Sequence, residues 1–180
     1  MKNIFIFDVE STFLHGDAFM VSALIYDIQK AEVTTTFNAR YIPTKTSDWV
    51  NDNIVKKVDT ARFLLCKDFK EMRAEFFQFY IEFKDQCVIM VDTPYPVETN
   101  FLEAIYNDDP VSREWLMPYP LIDMGSILSI FGLSEIDRAE YSEIANLEKH
   151  NPYYDNLASL FSLLKCLNEN KIEINNLLKD

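Results

Sequence analysis

Two short stretches of this 180-residue chain carry residue types that could do chemistry. The first is FDVEST, in which the apolar run Ile4 to Phe7 delivers Asp8 and Glu10. Side chains alternate along an extended chain, so acids one residue apart share a face. Like charges placed there repel, and a divalent cation is the usual way to offset that repulsion. A strand ending in a solvated acidic turn would look the same. The second stretch is HNPYYD, His150 to Asp155, where one of only two histidines stands five residues before an acid at a helix start. A helix N-terminus carries partial positive charge and favours a carboxylate. A histidine with an ordinary pKa of ~6.5 can take a proton near neutrality.

Other elements must position these groups. Lys2 to Phe7 reads as a buried strand, followed by a polar turn from Glu10 to Asp17. Ala18 to Ile28 and Ala31 to Tyr41 read as two further strands, close enough in sequence for a hairpin. Ile42 to Leu65 has no clean period and room for one short helix. Phe69, Met72, Phe76, Tyr80 and Phe83 recur at helical spacing within Asp68 to Lys84, and this aromatic stripe is assigned to the core. Cys87 to Val91 is a strand ending at Asp92, and Val97 to Tyr106 a helix. Beyond a loop from Asp108 to Pro120, Leu121 and Ile122 suggest a short last strand and Asp123 a cap for a helix from Met124 to Phe131. Ser134 to Asn146 reads as helical, and Asn151 with Pro152 opens a helix to about Leu167. Ile172 to Leu178 reads as a terminal helix.

The order gives an α/β fold: a five-stranded mixed sheet, three antiparallel strands then parallel ones, flanked by helices in one domain spanning residues 1–180. Fourteen Phe and nine Tyr supply much of the core. A formal charge of -12 argues against a general nucleic-acid coat, because nonspecific binding rests on cations displacing counterions from phosphates. It does not argue against a nuclease, whose acids draw cations that reverse the local field. Residues 40–73 hold eight of the seventeen basic residues against five acids, which could mark a phosphate path or a solvated face. Three scattered cysteines without a CxxC pair, no cationic apolar leader and no membrane-length apolar run lead to the expectation of a soluble cytoplasmic protein that does not engage membranes.

Taken together, the two stretches resemble the DEDDh branch of the 3'–5' exonucleases, DnaQ-like members of the RNase H-like superfamily. Asp8 and Glu10 match a first motif in which a strand ends in Asp-x-Glu, and His150 and Asp155 match a third motif of His followed five residues later by Asp. The second motif places an Asp four residues before a Leu. Counted back from Leu102, that position holds Glu98, one methylene longer; Asp92, at the end of the preceding strand, is the other candidate. The resemblance implies two Mg²⁺ or Mn²⁺ ions, with Asp8 bridging them, Glu10 and Asp155 completing the site, and Glu98 or Asp92 serving the second ion. It makes His150 the general base, on a lead-in able to swing toward substrate. It implies hydrolysis at 3' ends of single-stranded RNA or DNA, with RNA slightly favoured, and allows a homodimer. An inactive RNase H-like binding or regulatory module is the competing expectation. Phe13 and Leu14 follow the first motif, where relatives often wedge a terminal base; core packing competes for them. His15 reads as a surface residue, and the cysteines as buried apolar ones.

Overall fold

The structure, a computed structural model, describes residues 3–134, 136–144 and 148–174. Its centre is β1 (Asn3–Ser11), whose continuous apolar run reflects burial on both faces. Phe5, Phe7 and Val9 point into one core with Met72, Phe76 and Tyr80 of α2 (Phe69–Phe83) and Phe101 and Ile105 of α3 (Val97–Asp108). Ile4 and Ile6 point into the other with Leu160, Leu163 and Leu167 of α7 (Pro152–Glu169). Period two therefore puts Asp8 and Glu10 on the face that α7 covers. The aromatic stripe of α2 is core, as its spacing predicts.

β1 pairs antiparallel with β2 (Ala18–Asp27), and β2 with β3 (Glu32–Arg40). On its other side β1 pairs parallel with β5 (Cys87–Val91), and β5 with β6 (Ile122–Asp123). The described sheet has six strands rather than five, because β4 (Leu64–Leu65) adds parallel to β3 beyond its edge. The Cys66 N–H then bonds the Arg40 carbonyl at 2.7 Å. Both leucines are half-exposed, so β4 has no burial pattern to reveal it.

Three local expectations change. β1 runs on through Ser11, with Glu10 opposite Met20 and a bulge after it, so Glu10 is a strand residue and not the start of a turn. Between Ser134 and Asn146 the described helix is only α6 (Arg138–Tyr141), which Asp137 caps; Glu135 and residues 145–147 lie outside the described residues. The loop after α3 contains α4 (Pro110–Arg113), capped by Asp109 with proline in its first turn. The expected terminal helix, Ile172 to Leu178, falls mostly outside the described residues. α5 (Met124–Ile130) begins where Asp123 accepts the Ser126 N–H.

The aperiodic stretch after β3 also has a scaffold. Ser47 caps α1 (Asp48–Val50), which continues as a π-helical turn through Val55. Val50, Ile54, Val58 and Phe63 pack on Phe19 and Met20 of β2.

Candidate active site

Asp8 and Glu10 project from β1, and Asp155 reaches them from the first turn of α7. One oxygen from each lies within 4.8 Å of the others. The start of α7 is fixed tightly enough to hold this arrangement. The Asn151 side chain accepts the Tyr153 N–H at 3.2 Å, and the Asn151 carbonyl accepts the N–H groups of Tyr154 and Asp155 at 2.8 and 2.9 Å. One residue on, buried Asn156 donates from Nδ2 to the carbonyl of Ser22 at 3.0 Å. Ser22 stands opposite Asp8 in the β1–β2 ladder, so the helix carrying Asp155 is bonded to the strand beside Asp8.

Glu98, at the N-terminal end of α3, is 7% exposed and lines the same cleft. Burial raises its carboxyl to about 7 and the Asp92 charge adds to that, while hydrogen bonds from its own N–H and that of Val9 hold it down. Burial also carries Asp155 to about 7, helped by Asp92 and Asp137 and opposed by the His150 N–H and the Lys149 charge. Asp8 and Glu10 are driven well above the ordinary carboxylate range, first by burial and then by their acidic neighbours, Glu98 and Asp155 among them. Among the described residues no lysine or arginine pairs with any of these four acids. Clustered oxygens of one charge, without cationic partners, form the donor set that a hard divalent cation takes.

Asp92 is differently placed. It borders the cleft, but Arg138 Nε lies 3.0 and 3.2 Å from its two oxygens, and Ser159 Oγ donates to it at 3.1 Å. Arg138 Nη1 meanwhile donates to the carbonyls of Leu133 and Ile136 at 3.2 and 3.5 Å. The guanidinium thus ties the end of β5 to the segment before α6.

His150 borders the cleft with φ 61°, a left-handed backbone that costs a side-chain-bearing residue some strain. Its ring meets that of Trp49 edge-to-face, with centroids 5.1 Å apart. Burial lowers its pKa, and the Lys149 and Lys57 charges lower it further, so the ring favours the neutral form. The cleft has a volume of about 330 Å³ and opens between these groups, Arg138 and Lys149.

The structure therefore gathers Asp8, Glu10, Glu98, His150 and Asp155 around one cleft, with Asp92 at its border engaged by Arg138. His15 is exposed beside Tyr95, Asp123 is a helix cap, and the three cysteines are buried and unpaired. Phe13 and Leu14 are 41% and 65% exposed, which removes them from the core. Of the basic residues between 40 and 73, Arg73 is bound to Asp108, Lys56 to Asp52, and Arg62 sits on Tyr153. Sequence reasoning missed Arg138, Ser159 and the role of Trp49; none stands in a motif, and Arg138 is 46 positions from its partner.

No protein-family model matches the sequence, nor does any curated protein. Solved structures do. The nuclease domain of 3'hExo, a DEDDh family member bound to rAMP, matches with a TM-score of 0.59 at 14% identity, over 94% of this chain and 92% of that one. Cell-death related nuclease 4 (CRN-4) matches with a TM-score of 0.49, also at 14% identity, over 94% of this chain and 64% of that one. Likeness at such low identity speaks for architecture alone. The chain has the RNase H-like fold of the DEDDh exonucleases.

Proposed function

We propose that this chain is a Mg²⁺- or Mn²⁺-dependent 3'–5' exonuclease acting on single-stranded nucleic-acid ends, with RNA slightly favoured. The observation that carries the reading is the convergence of Asp8, Glu10, Glu98 and Asp155 from β1, α3 and α7, without a cationic partner among the described residues, beside His150. The fold supports it, and the ribonucleotide bound by the 3'hExo nuclease domain supports the preference for RNA.

Asp8, Glu10 and Asp155 would hold two ions, with Glu98 as the fourth carboxylate and Asp92 left to Arg138. When bound, such ions stabilise charge on the phosphate and leaving oxygens and acidify the attacking water. The rest is work for this chain's own groups. His150, kept neutral by its surroundings, accepts a proton from the water as the water oxygen bonds to phosphorus. The bond from phosphorus to the penultimate 3' oxygen breaks, that oxygen takes a proton from solvent, and a nucleoside 5'-monophosphate is released. Exposed Phe13 and Leu14, just past β1, offer apolar surface to the terminal bases. The buried, unpaired cysteines suit a reducing compartment such as the cytoplasm.

A binding module that has lost catalysis is separated from this reading by the metal. Mn²⁺ should raise the melting temperature of the wild-type protein and have no such effect on Asp8→Ala. Equal stabilisation of both, or of neither, counts against the enzyme.

A further inference from the structure

His150 sits outside regular structure, on a lead-in to α7 that does not set its own conformation. Its positive φ needs support from elsewhere. That support comes from residues 47–62. Trp49 meets the imidazole edge-to-face at 5.1 Å with an interplanar angle of 81°. The Glu148 carboxylate accepts the Asp59 N–H at 3.0 and 3.2 Å and the Asn151 Nδ2 at 2.7 Å. The Arg62 guanidinium lies 4.2 Å from the Tyr153 ring centroid and donates to the Tyr154 hydroxyl at 3.2 Å. The Asp59 and Arg62 contacts fall on either side of His150 along the chain, and the Trp49 contact falls on its ring.

The supporting segment is itself anchored to β2 and to the chain just past β1, the strand that carries Asp8 and Glu10. Its apolar residues pack on Phe19 and Met20 of β2, and the Ser47 N–H bonds the Thr12 carbonyl, just past β1, at 3.0 Å. One scaffold therefore fixes both the carboxylates and the histidine. Trp49 remains 54% exposed, more than a core tryptophan would be, and its ring contact is with His150.

We propose that Trp49 is a positioning residue: its indole holds the His150 imidazole in a fixed orientation over the carboxylate cleft, and the 47–62 segment pre-sets the proton acceptor. The role rests on the functional reading above. It replaces the expected swing of His150 toward substrate with an orientation set in advance. Displacing a reacting group by about 1 Å can cost roughly 100-fold in rate, so the effect belongs in kcat.

The test has two arms. In a Trp115→Phe background, which changes only an exposed side chain, Trp49 is the sole tryptophan. The imidazole covers part of an indole that is already half-exposed, so His150→Ala should shift Trp49 emission to longer wavelength as solvent takes its place. In the second arm, Trp49→Ala should lower kcat by roughly 10- to 100-fold on a 3'-labelled single strand with Mn²⁺, leave KM within about two-fold and keep the Mn²⁺-induced rise in melting temperature; Trp49→Phe should retain most of the rate. Unchanged kcat in Trp49→Ala, or a loss confined to KM, overturns the positioning role. Emission indifferent to His150→Ala overturns the contact. Absence of cleavage by the wild-type protein, with emission still responding, overturns the functional reading and with it the catalytic role of Trp49.

Discussion

Arg138 closes on Asp92 through both carboxylate oxygens, with Nε 3.0 and 3.2 Å away and Nη2 3.2 Å from one of them. Both side chains are largely covered, so removing the acid strands a guanidinium that also spans the Leu133 and Ile136 carbonyls. Asp92→Ala should destabilise the fold by about 2 kcal/mol in denaturant titration. Its Mn²⁺-induced thermal shift should survive. A folded Asp92→Ala that no longer responds to Mn²⁺ would make Asp92 a metal ligand and displace Glu98 from that role.

Glu98 should behave in the opposite way. Its carboxyl faces the cleft under two backbone N–H groups, and Gln preserves the shape while removing the charge. Glu98→Gln should therefore fold with unchanged or higher stability in EDTA, because it relieves repulsion among the acids. Its kcat should fall by roughly 100-fold or more. Measuring stability in EDTA and rate in Mn²⁺ on the same preparation separates the two effects. Loss of both together would mean that Glu98 is merely structural.

The metal-free protein should also show an unusual pH dependence. Burial lifts Glu98 and Asp155 to about 7, against ordinary values of ~4 in the unfolded chain, so between those limits the native state holds extra protons. Unfolding then releases protons, and stability must fall as pH rises from about 4.5 to about 7.5. Melting curves in EDTA should show that decline, and saturating Mn²⁺ should flatten it. A melting temperature that rises across this window in EDTA would contradict the clustering of ionisable acids.

Arg73 and Asp108 provide a comparison far from the chemistry. Arg73 Nε and Nη2 meet the two Asp108 oxygens at 2.8 and 2.6 Å, joining α2 to the end of α3. Those bonds hold the Asp108 carboxyl below its ordinary value, with burial opposing, so its stabilisation is present above about pH 4 and lost as pH falls through the lowered value. Asp108→Asn should cost about 2 kcal/mol of stability at pH 7 with kcat unchanged at temperatures where the variant is folded. A fall in kcat under those conditions would mean that the pair contributes to the cleft.

The elements legible in the sequence were those with strong local signals. Alternation placed Asp8 and Glu10 on one face of β1, and Asn151–Pro152 marked the start of α7; together they account for carboxylates brought within 4.8 Å from opposite ends of the chain. Less visible was anything decided by a distant partner. Asp92 and Glu98 look equally suitable until Arg138, from a helix of four residues, takes Asp92. β4 escaped because two half-exposed leucines carry no period, and its pairing depends on where β3 ends. Trp49 lay in a stretch with no pattern, and its meaning comes from a ring 101 positions away.

The central claim is that the carboxylate cleft cleaves nucleic acid from the 3' end with divalent metal. Matched single-stranded RNA and DNA oligomers, each labelled at the 3' or the 5' terminus, test it directly when incubated with Mn²⁺ or with EDTA. In Mn²⁺ the 3' label should leave first as a mononucleotide while the 5' label shortens stepwise, faster on RNA; EDTA and Asp8→Ala should each abolish both. Cleavage that persists in EDTA, internal fragments as the first products, or full activity in Asp8→Ala would contradict the account.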